Sequence, residues 1–165
     1  MSTVEIVSYR ETGESTRYRE TFDEAYYDLD EAGNVDIVLH RMTPGAMSPE
    51  DAVAQTIHVR TVWRCVPGQT VAHSTQINGT VTYAIVGGDV GATFEGAGSV
   101  FFRENRAKDE ITGTLDLVRL KPAKKLNNGS DLFYRTELSA EFRAKRDPRT
   151  VVAFVHSISE KFDGK

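Results

Sequence analysis

The sequence predicts an all-β fold: a single domain over residues 1–165. Its architecture is an antiparallel β-barrel, or a strongly coiled sheet or sandwich, of about eight or nine strands with one short helix near 49–55. Three observations carry this reading. Between Val71 and Ile85 every second residue (Val71, His73, Thr75, Ile77, Gly79, Val81, Tyr83, Ile85) belongs to one face, and the residues between are small and mostly polar. Side chains alternate across a strand, so this period marks one strand far longer than the usual five or six residues, as coiled sheets and barrels need. Later segments repeat the same inside/outside alternation. Gly79, Gly96, Gly98 and Gly113 also fall within these runs, and glycine inside a strand marks a sharp bend or a close backbone approach.

Taken in order, Val4 to Tyr9 reads as a strand. Thr16 to Leu29 reads as strand–turn–strand because its neighbours are strands, although Tyr18, Phe22, Ala25, Tyr26 and Leu29 also share a helical face. Asp28 to Asn34 has the composition of a hairpin loop, and Val35 to Met42 is a strand. Ser48-Pro49-Glu50-Asp51 opens the short helix, with a serine cap, proline in the first turn and acids suited to the helix dipole.

Ile57, Val59, Thr61, Trp63 and Cys65 then alternate up to the break at Pro67-Gly68. The long strand ends at Gly87-Gly88-Asp89. Ala92 to Phe102 and Ile111 to Leu117 are the next two strands, followed by a basic loop holding Lys121, Pro122, Lys124 and Lys125. Leu132, Tyr134, Thr136, Leu138, Ala140 and Phe142 form the cleanest inward set. Beyond Asp147-Pro148, a last strand is expected with Val152, Phe154, His156, Ile158 and Phe162 on one face. Val151, Ala153 and Val155 make its other face apolar too, the pattern of a strand buried on both sides.

Phe94-Glu95-Gly96-Ala97-Gly98-Ser99-Val100 resembles the Phe-x-Gly-Ala-containing strand of allene oxide cyclase and dirigent-type barrels, with the glycine spacing shifted by one residue. The resemblance implies a barrel and carries over no catalytic residue.

Several functional classes are set aside by composition. A formal net charge of −4 offers no general attraction to nucleic acid or an anionic membrane. No apolar run approaches the ~20 residues that cross a bilayer. The segment Met1 to Glu5 has neither a cationic start nor an apolar stretch, and the single Cys65 cannot pair within the chain; the expected compartment is the cytoplasm. There is no HExxH, His-x-His or paired-cysteine spacing, so neither a metal nor another cofactor is expected. The Asp28-x-Asp30 segment lacks calcium-loop ligands at Ala32 and Leu39, and Gly87 to Gly91 precedes a strand rather than a phosphate-binding helix.

What remains is an interior. Trp63, His73, Tyr83, Tyr134 and His156 are the expected ligand-binding residues, because each falls on an inward, largely apolar face and brings a polar atom to it. His73 and His156 also read, more plainly, as neutral histidines bonded to a backbone carbonyl. His58 reads as surface, and His40 is unassigned. Three functions are compatible with these residues. The leading one is a barrel that binds a small, largely apolar molecule in its interior. The second is an acid–base enzyme of isomerase or cyclase type using His73 or His156 with a tyrosine, its catalytic set otherwise undefined. The third is an interaction module or homo-oligomer that uses the doubly apolar last strand.

Overall fold

The computed structural model of the chain describes residues 1–62, 77–127 and 134–164. Trp63, Cys65, His73, Leu132 and the first part of the long alternating run lie outside the described residues.

The strands are β1 (Ser2–Tyr9), β2 (Ser15–Phe22), β3 (Glu24–Leu29), β4 (Val35–Thr43), β5 (Val53–Thr61), β6 (Gly79–Gly87), β7 (Val90–Glu104), β8 (Glu110–Leu126) and β9 (Arg135–Arg146), followed by helix α1 (Pro148–Asp163). They form one nine-stranded sheet in the order β2-β1-β9-β3-β4-β5-β6-β7-β8, with β8 also paired to β9. The ladders are antiparallel except where Tyr26 and Tyr27 meet Lys145 and Arg146 in a two-residue parallel join. From β3 the ladders run through β4, β5, β6, β7, β8 and β9 and return to β3, so the hydrogen bonds close a ring. The β1–β2 hairpin pairs with residues 135–141 of β9, on the same edge that meets β3 at Lys145 and Arg146.

Closure follows from devices visible in the chain. At Gly96 a Cβ would run into the Arg119 carbonyl, and at Gly113 into the Phe101 carbonyl, so only glycine lets these strands cross so closely. Register shifts between β7 and β8, and another between β8 and β9 after Leu115, coil the sheet; Leu117 takes φ 56° at the second. The turn from β6 to β7 is the two residues Gly88-Asp89, with Gly88 at φ 62°.

Alternation sorts the two faces. Val4, Ile6, Phe22, Tyr27, Ile37, Leu39, Ile57, Val59, Val81, Phe94, Leu115, Leu138 and Phe142 point inward as one continuous buried cluster. Along the outer face of β3 to β7 lies α1, which buries Val151 and packs Phe154 against His40 (ring centroids 4.5 Å) and Tyr26 (6.4 Å).

Four expectations change. The segment after Asp147 is a helix, not a strand: Asp147 caps it by accepting the Thr150 N–H at 3.1 Å, and Pro148 sits in its first turn. Its doubly apolar pattern is the i, i+3, i+4, i+7, i+11 stripe of Val151, Phe154, Val155, Ile158 and Phe162, so it reports docking onto the barrel and gives no reason for a subunit interface. The basic loop is strand: β8 passes its bulge and continues through Lys121, Pro122 and Lys125, paired to β7. The helix expected near 49–55 is a single 3-10 turn, Pro49–Asp51, and Val53 already belongs to β5. Of the long run from Val71, the described strand begins at Gly79 and ends at Gly87.

Candidate functional site: the rim of the barrel interior

The two ends of the barrel are built differently. At the base, where β5 ends and β6 begins, the inward residues Tyr27, Val35, Thr61, Asn78 and Ile111 are all buried. Their polar atoms are committed. Asn78 donates from Nδ2 to the Val100 carbonyl (2.8 Å) and accepts the Val100 N–H on Oδ1 (2.6 Å). Thr61 Oγ1 accepts the Val35 N–H at 2.7 Å, and the Tyr27 hydroxyl donates to the Lys108 carbonyl at 3.3 Å. Such buried, satisfied polar groups rigidify the structure around them.

At the rim, where β4 ends and β5 begins, the inward positions turn polar and lose their cover. Counting by twos from Val35, Ile37 and Leu39 brings Arg41 inward; counting back from Phe22 brings Glu20 and Tyr18. Arg41 pairs with Glu20 and donates to Thr43 Oγ1 at 3.1 Å. This pair spans a seam, because the β3–β4 ladder stops at Glu24↔His40 while β2 is paired only to β1. Beneath it the Tyr83 hydroxyl donates to Gln55 Oε1 at 2.9 Å. Burial pushes the Tyr83 phenol well above its ordinary value, with the Arg41 charge working against that shift, so it stays a neutral donor.

Two further groups at the rim have no partner among the described residues. Ser8 and Thr136 face each other across the β1–β9 ladder on the inward face, 3% and 0% exposed, and neither hydroxyl finds a hydrogen bond among the described residues. Each such orphan costs about 1–3 kcal/mol. Buried polar groups in folded proteins are nearly always satisfied, so two neighbouring exceptions need a cause.

Of the residues singled out by sequence, Tyr83 is inward and buried, where it was expected. Tyr134 keeps the inward register but stands just before β9 at the rim, 63% exposed instead of enclosed. His156 is not inward: on α1 it faces solvent, 67% exposed, beside Glu160 at 3.3 Å. Trp63 and His73 lie outside the described residues. His58, expected as plain surface, is mostly covered on the outer face and holds Asp36 Oδ1 at 2.8 Å. His40 also sits on the outer face, its Nδ1 2.9 Å from Thr56 Oγ1, and burial under α1 lowers its pKa. The described histidines therefore all stand outside the barrel wall. Ser8, Arg41 and Gln55 are not singled out by the sequence, and Tyr18 and Glu20 enter it only in the choice between helix and strand, though a polar residue at an inward parity position was the available signal.

Hollows also occur on the outer surface. Grooves of about 260 and 330 Å³ run over β1, β2, β8 and β9 among charges of both signs, including Glu5, Arg17, Arg19, Asp116 and Glu137. A smaller one of about 120 Å³ lies beneath α1 between His58, Lys124 and Phe162. Among the described residues no group of three or more His, Cys, Asp or Glu is placed to hold a metal ion, and no helix is long and apolar enough to cross a membrane.

The chain was compared with protein-family models, curated proteins and solved structures, and none of the three comparisons gives a match.

Proposed function

We propose that this protein binds a small, largely apolar molecule in the barrel interior, entering at the rim. The observation that carries the reading is the asymmetry of the two ends. At the base the buried polar side chains are bonded to backbone groups, whereas the rim combines apolar wall (Ile85, Ala92, Phe94, Leu138) with polar groups converging inward (Arg41, Gln55, Tyr83). Binding sites for small molecules have this composition: an apolar lining and a few placed polar atoms. Eight-stranded barrels are just wide enough to be filled by their own side chains or to hold one small ligand. The lower interior of this barrel is lined by fully buried side chains, so the ligand is assigned to the rim layer.

A fluorescence titration with the neutral dye Nile red tests the proposal. The expected result is a saturable rise with a Kd in the micromolar range, on the order of −8 kcal/mol. Tyr18→Ala, at the rim, is expected to weaken it several-fold, and Val152→Ser, exposed on α1, to leave it unchanged. A rise that does not saturate, or that falls equally in both variants, overturns the proposal.

A further inference from the structure

Resting on the proposed interior site, we infer that its occupant is uncharged and presents one carbonyl or hydroxyl oxygen to the side chains of Ser8 and Thr136. Both hydroxyls are buried, inward and unpartnered among the described residues, although each is a donor and an acceptor. They are directly opposed in the β1–β9 register, which sets their Cβ atoms about 5 Å apart. An oxygen seated between two hydroxyls at that separation can bond both.

The surroundings define the rest of the molecule. Thr136 is flanked in its row by Leu120 on β8, and Ser8 by Thr16 on β2, with Ile6 and Leu138 in the next inward layer. None of these is charged. Arg41 already holds the Glu20 carboxylate and Thr43, and Lys125, opposite Ala92 at the far end of β8, is exposed and belongs to neither the β1 nor the β9 row. A carboxylate brought to Ser8 and Thr136 would be buried without a cation beside it in either row. The chemistry favours a medium-chain alcohol, ketone or ester over the corresponding acid.

Competition against bound Nile red by octane, octan-1-ol, octan-2-one and octanoate, on the wild type and on Ser8→Ala/Thr136→Val, separates the possibilities. Both substitutions remove an unpaired hydroxyl and keep the local volume close, so the variant is expected to fold. Octan-1-ol and octan-2-one are expected to displace the dye, and the double variant to weaken both about tenfold, the worth of a lost pair of neutral hydrogen bonds. Octane affinity should not change. If alcohol and ketone affinities survive the double substitution while the dye still binds, the oxygen-reading pair is overturned and the interior site stands. That result is also expected if a buried water alone satisfies the two hydroxyls. Octanoate as the tightest competitor overturns the neutral class. Failure of Nile red and every octyl compound to bind overturns the interior site itself.

Discussion

The base and the rim of this barrel are made of the same strands, yet they treat buried polar groups in opposite ways. At the base, Asn78 binds both backbone groups of Val100, and Thr61 and Tyr27 have partners. At the rim, Ser8 and Thr136 are as deeply buried and have none among the described residues. A satisfied buried group stabilises its surroundings, whereas an orphan costs its full desolvation. The base is therefore built for stability, whereas the rim gives up stability at Ser8 and Thr136, where the proposed ligand would supply the missing partner.

Substitutions at the two ends should differ in sign. The largest effect is expected at the base: Asn78→Ala strips Val100 of two buried hydrogen bonds and should lower unfolding stability by about 2–4 kcal/mol, read from urea denaturation. At the rim, Ser8→Ala and Thr136→Val should raise stability by about 0.5–1 kcal/mol each in ligand-free protein, because an unpaired hydroxyl gives way to an apolar group of similar shape. Destabilisation by both would mean that the hydroxyls have partners and the contrast is false. Glu20→Gln tests the seam. The pair is partly exposed, so the loss should be only about 0.5–1 kcal/mol, and smaller at high salt.

The smallest expected effect belongs to neither end but to the outer face. His40 is covered by α1 and faces Glu24, Asp23 and Lys161; burial outweighs the two carboxylates and lowers its pKa below the ordinary 6.5. Between those two values the unfolded chain binds more protons than the folded one, so stability is full above about pH 6.5 and declines as pH falls through that window. His40→Gln should flatten this part of a pH–stability profile while leaving Nile red binding at the rim unchanged. A profile unaltered by the substitution would remove His40 as the source.

Much of the barrel was legible because amphipathic strands record their inner face at every second residue. Val35, Ile37 and Leu39, or Leu138, Ala140 and Phe142, carry that period, and the turn at Gly88-Asp89 and the glycines at 96 and 113 carry the bends. The two misread segments failed for physical reasons. In α1, Phe154, His156 and Ile158 satisfy a period of two, while Val151, Phe154, Val155 and Ile158 satisfy 3.6. The deciding signal was Asp147-Pro148 with Thr150, a capped helix start followed by Gly164 as its left-handed stop. Beyond Leu117, β8 hid because its bulge breaks the alternation and the strand carries lysines and a proline there.

The candidate site was legible only in part. Tyr83 stood out as a polar aromatic on an apolar face, and Tyr134 shares its end of the barrel. Ser8 lies in a strand marked only by its apolar members, and its lack of a partner among the described residues is a property of three-dimensional neighbours that no single strand records. Arg41 continues an inward series, but its pairing with Glu20 depends on how β2 and β4 meet across the seam.

The six tyrosines allow the central contrast to be measured in one experiment. Tyr18, Tyr83 and Tyr134 belong to the rim, Tyr9 to the outer wall beside it, Tyr27 to the base and Tyr26 to the face under α1. In protein labelled with 3-fluorotyrosine, with resonances assigned by single Tyr→Phe substitutions, titration with octan-1-ol should shift the 19F signals of Tyr83 and Tyr18 in a saturable way and leave Tyr27 and Tyr26 in place. Movement of Tyr27 with Tyr83 and Tyr18 unmoved, or no saturable shift at any of the six, would contradict a binding site at the rim.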